Sequence, residues 1–129
     1  MVKLIDRIRE AEATLAVRLE EEKRQAEEAQ RKLDEEDRIE GRRKAKLDVP
    51  NIDAKILCAV DDKQSVYTHP IGRGREKAAL TPFEEGYTSC LLEHYADEGV
   101  DAKIEKLPLY RNGVVAAHDI NIRFSWLGK

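Results

Sequence analysis

The chain has 129 residues with a formal net charge of −3, so no global positive field draws it toward nucleic acid or anionic lipid. Charged residues make up 38% and aromatic residues only 5%, the balance of a long solvated segment attached to a small core. No apolar run approaches the roughly 18 residues of a membrane span, and the opening MVKLIDRIRE is charged from its third residue, unlike a signal peptide.

Residues 3–40 contain neither Gly nor Pro and are dominated by Glu, Arg, Lys, Ala, Gln and Leu, all strong helix formers. Leu4, Ile8, Ala11, Leu15, Leu19, Ala26, Ala29 and Leu33 fall on one line, with Glu22 in the gap. The spacing departs from a strict heptad toward an eleven-residue repeat, which straightens a supercoil. A lone helix cannot bury such a stripe. Leu4, Ile8, Ala11, Leu15 and Leu19 are therefore the candidate partner-binding residues. Beyond Leu19 the stripe turns to Ala and Glu. Acid-to-base pairs at i,i+4 (Glu20–Arg24, Glu27–Arg31, Glu28–Lys32 and Asp34–Arg38) are expected to support the helix locally there. Gly41 and the basic GRRKAK are expected to end this helix, giving a 1–47 oligomerisation or docking segment and a 48–129 domain.

In the second segment, AKILCAV and SVYTHPI read as two strands of a hairpin turning at DDKQ, followed by a flexible loop, IGRGREKAA. TPFE is a capping box with Pro at the first helical position. The helix it starts carries Phe83, Tyr87, Cys90, Leu91, His94 and Tyr95 on one side and closes at Gly99. A second hairpin follows, with Asn-Gly at its turn and Ile120, Ile122, Phe124 and Trp126 alternating on one face. The expected fold class is α+β: a long, coiled-coil-like N-terminal helix, then a ββαββ two-layer domain with one helix on an antiparallel sheet.

Asp-Ala-Lys-Ile occurs twice, at 53–56 and 101–104. On a strand, Asp101 and Lys103 share a face, where the acid can hold a divalent ion and the lysine can orient a water. Duplicated hairpins or chance shared strand preference account for the repeat as well. Arg73, Arg75 and Lys77, with two glycines before a helix start, are candidates for anion or nucleic-acid contact. Cys90 and His94 have the i,i+4 spacing of half a zinc site, which core packing produces equally. Cys58 and Cys90 lie 32 apart with no C-x-x-C pair and read as reduced thiols of a cytoplasmic chain.

The expected function is that of a non-catalytic structural or adaptor protein. It would self-associate, or dock into a larger assembly, through its N-terminal helix, as a viral structural component or a small inhibitor protein does. No catalytic residue, metal, cofactor or membrane is implied. The alternative is a nucleic-acid-binding or metal-dependent nuclease module using Asp101, Lys103 and the arginine loop.

Overall fold

Helix α1 runs unbroken from Leu4 to Asp61, well past the expected stop. The structure, a computed structural model, describes residues 1–127. After α1 come strand β1 (Val66–Arg75), helix α2 (Pro82–Asp97), and strands β2 (Asp101–Arg111) and β3 (Val114–Ser125). The class is α+β, with a long first helix, a short second one and a three-stranded antiparallel sheet in the order β1-β3-β2. Two compact units divide the chain, Met1–Glu35 and Glu36–Lys129.

The expected first strand, AKILCAV, is helical. Its apolar residues belong to a 3.6-residue pattern that begins earlier: Gly41, Ala45, Ile52 and Ile56 are buried, Val49 and Ala59 are half-buried, and Leu57, Cys58 and Val60 are exposed. A short apolar run has no period of its own, so the face established by Ala45 decides its state. The head is therefore αβαββ, its first hairpin partner replaced by the end of α1. Pro50 lies inside α1 on its exposed side, where its missing N–H leaves the Lys46 carbonyl to water.

Gly41 does not end the helix because α2 crosses α1 there, backbone against backbone. A Cβ on Gly41 would sit 1.9 Å from the Phe83 carbonyl oxygen, and one on Gly86 would sit 2.1 Å from that of Arg38. Glycine costs a helix interior about 1 kcal/mol relative to alanine. Close approach of two helices is the gain that offsets it. α1 stops instead at Lys63, which adopts the left-handed conformation (φ 63°). The Lys63 N–H donates to the Val60 carbonyl and the Gln64 N–H to that of Ala59, a Schellman arrangement. DDKQ is thus a helix cap, not a hairpin turn.

Sequence expectation holds for α2. Thr81 and Glu84 close the capping box, Pro82 opens the helix, and Gly99 ends it with the same pair of hydrogen bonds, from Gly99 to Ala96 and from Val100 to Tyr95. The side buried is shifted from the one expected: Gly86, Tyr87, Thr88, Leu91 and Tyr95 are inside, Phe83 is exposed, and Cys90 and His94 are half-buried. Asn112 and Gly113 both have positive φ, as a two-residue hairpin turn requires. Ile120, Ile122 and Phe124 are fully buried. Ile122 and Phe124 share a core with Ala45, Ile52 and Ile56 of α1 and Tyr87, Leu91 and Tyr95 of α2.

The glycine-rich stretch is not a free loop. It is the end of β1, with register shifts between Pro70 and Gly72 and between Gly72 and Arg75. Without a Cβ on Gly72, the Arg75 side chain can lie across it and form a bidentate ion pair with Glu84. The Gly74 N–H donates to Asp119 at 2.9 Å.

Candidate functional site

Two kinds of surface can carry function: a polar cleft in the head, and apolar surface left uncovered. The cleft, about 280 Å³, is lined by Lys44 and Asp48 of α1, His69, Pro70 and Ile71 of β1, and Phe83, Glu84 and Tyr87 of α2. Strand alternation puts Tyr67 and His69 on one face of β1, opposite Phe124 and Ile122 of β3. A chain of hydrogen bonds runs through them. The Tyr87 hydroxyl lies 2.7 Å from the Asp48 carboxylate, which can only accept, so the phenol donates. His69 Nε2, 2.9 Å from the same hydroxyl, must then be the protonated nitrogen and donate to it. That leaves Nδ1 to accept from the Tyr67 hydroxyl at 3.3 Å. Lys44 Nζ closes the far end, 3.0 Å from Asp48.

Local electrostatics favour this neutral-imidazole arrangement. Burial, and then the positive charge of Lys55, hold the His69 pKa below its usual 6.5, outweighing the opposing pull of Asp48. Burial pushes Asp48 upward, but hydrogen bonds from Tyr87 and Lys44 bring it below the ordinary carboxylate value. Tyr87 is raised, by burial first and by Asp48 second. Both ring nitrogens of His69 and the Tyr87 proton are committed to neighbours. The polar groups of this chain satisfy one another.

On the other side of the α1–α2 contact, the Tyr95 hydroxyl donates to Asp53 at 2.7 Å. The first Asp-Ala-Lys-Ile therefore lies on a helix and the second, with Asp101 and Lys103, on β2, which removes the duplicated-hairpin explanation. Across from Asp101 and Lys103 stand Ser125 and Arg123, neither an acid. Arg73 and Arg75 are not brought to them. Arg75 pairs with His118, in the row of Pro108. That row is seven residues along β2 from Asp101, about 23 Å at ~3.3 Å per residue. Arg75 is already matched by Glu84, while Arg73 and Lys77 are exposed. Among the described residues no group of three or more His, Cys, Asp or Glu is placed to hold a metal. His94 instead packs edge-on against Tyr95.

Uncovered apolar surface is extensive. Every residue from 1 to 33 is exposed, and the five stripe residues Leu4, Ile8, Ala11, Leu15 and Leu19 are among them. Leu4 is 67%, Ile8 42%, Leu15 43% and Leu19 55% exposed. The charges beyond the stripe do pair within the helix, but three residues back: Arg24 with Glu21 and Arg31 with Glu28. In the head, the β1 register ends at His118, so the tip of the β2–β3 ribbon has no third strand beside it. Leu109, Tyr110, Val114 and Val115 are exposed there. Edge pairing is disfavoured, because both edge strands carry a proline, Pro70 in β1 and Pro108 in β2, and each removes a donor that an added strand needs.

These surfaces were missed or found for definite reasons. The apolar stripe is periodic and local, so spacing alone reveals it. The Asp48–Tyr87–His69 chain joins three elements, and only the Tyr67-x-His69 alternation signals it in sequence. No described helix is long and apolar enough to cross a membrane. No family model, curated protein or solved structure matches the chain.

Proposed function

We propose that this chain is a non-catalytic structural or adaptor protein that self-associates through the apolar stripe of residues 4–19 and presents the α+β head as its contact module. The uncovered stripe carries the reading. Burying a Leu or Ile side chain is worth about 1.5–3 kcal/mol, so covering the four on this face supplies enough for a stable pair after the cost of association. The same helix buries Gly41, Ala45, Ile52 and Ile56 further along, so exposure of the whole stripe at the N-terminal end is a property of that stretch and not of the element. On the head, the ribbon tip and the face of the sheet, rather than its proline-blocked edges, are the surfaces offered to other molecules. Free thiols at Cys58 and Cys90 suit a reducing, cytoplasmic setting. A small head on a self-pairing helix suits a multi-copy assembly, of the kind a viral particle is built from.

Light scattering of the full chain at micromolar concentration tests this. The wild type is expected to have at least twice the monomer mass, and Leu15→Glu/Leu19→Glu the monomer mass with unchanged head unfolding. Equal masses for the two proteins would remove the proposal.

A further inference from the structure

Resting on that self-association, we infer that the partner of residues 1–22 is the same segment of a second copy running antiparallel, with its centre between Ala11 and Glu12. The stripe is nearly its own mirror image. Read forward, its spacings are 4-3-4-4; turned end for end about that centre, Leu4 meets Leu19, Ile8 meets Leu15, and Ala11 lies at the crossing. A small residue at the crossing lets the two helices approach closely. The overlap ends near residue 22, where Leu and Ile give way to Glu and Ala.

Charge selects this direction over the parallel one. Reversal sets Lys3 across from Glu20, with Glu21 and Glu22 just beyond it beside the start of the partner's helix. It also puts Asp6 next to Arg18. Three carboxylates then sit at the positive end of the partner's helix dipole, at both ends of the pair. Parallel, in-register pairing instead sets Glu20, Glu21 and Glu22 against their own copies. Apart from Glu21, which pairs with Arg24, the charges involved are available. Lys3, Asp6, Arg18, Glu20 and Glu22 make no ion pair among the described residues, whereas Arg24, Arg31, Arg43 and Lys44 further along α1 each have one.

Two measurements on the full chain decide the orientation. The first is the distance between spin labels on Glu27→Cys, in a Cys58→Ser/Cys90→Ala background. Antiparallel pairing about this centre separates the labels by about 46 Å at ~1.5 Å per residue. Parallel pairing brings them within about 20 Å, since paired helices lie 8–10 Å apart. The second is charge reversal. Lys3→Glu and Glu20→Lys are each expected to weaken dimerisation several-fold, and the double variant to restore it. A short label distance, or a double variant weaker than either single one, overturns the antiparallel assignment while self-association stands. A labelled chain that stays monomeric overturns both.

Discussion

The two ends of α1 are the same element made of similar residues, yet they treat their apolar side chains in opposite ways. Between Gly41 and Ile56 the helix packs into the head, with Ala45 and Ile52 almost wholly excluded from water. Between Leu4 and Leu19 it leaves six large aliphatic side chains exposed: Leu4, Ile5, Ile8, Leu15, Val17 and Leu19. Composition does not separate the two stretches; what they face does. Small residues admit α2 at Gly41 and Ala45, and the sheet completes that core. The C-terminal stretch is covered by its own chain, and the N-terminal stretch is not.

Truncation sharpens this contrast most. Phe124→Ala and Leu91→Ala remove fully buried side chains, and each is expected to lower the head's unfolding free energy by about 2–5 kcal/mol in urea titrations. Leu15→Ala makes the same type of change on the stripe and is expected to leave head unfolding within about 0.5 kcal/mol of wild type. A comparable loss from Leu15→Ala would mean that the two stretches are not distinct. Next in size is Gly41→Ala. Inside an ordinary helix this substitution stabilises. Here the added methyl meets the Phe83 carbonyl, and a loss of about 3 kcal/mol is expected, at the upper end of overpacking costs. Stabilisation by Gly41→Ala would contradict the close helix crossing.

A smaller effect tests the polar network. Tyr87→Phe removes the donor to Asp48 and the acceptor of His69, with an expected cost of about 1–2 kcal/mol. The smallest is pH dependence. His69 has its pKa below 6.5 when folded, so the unfolded chain takes up the proton first as pH falls. Its contribution to stability is present above pH 6.5 and declines as pH drops below that value. His69→Gln is expected to flatten the slope of the urea midpoint in this window. An unchanged slope would show that His69 is not held neutral by the fold.

Much of the fold was legible where the signal is local. TPFE, Gly99, Asn112-Gly113 and the Ile120–Phe124 alternation each specify their structure through a few neighbouring atoms, and each stands as read. The errors arose where distant residues decide. AKILCAV became helix because Ala45 had already fixed a buried face. Gly41 became helix interior because a segment more than forty residues later crosses it. Asp-Ala-Lys-Ile is helical once and extended once, which shows that four residues do not choose their own state. Of the candidate sites, the stripe was visible as periodicity. The Asp48–Tyr87–His69 chain was not, since its members meet only after α1, β1 and α2 have assembled.

The most direct test of the account is amide hydrogen exchange of the full chain at increasing protein concentration. Residues 4–19 are expected to gain protection as concentration rises and lose it on dilution, while the amides of α2 and β3 stay equally protected throughout. Protection of residues 4–19 that is the same at every concentration would contradict the claim that a second copy covers the stripe.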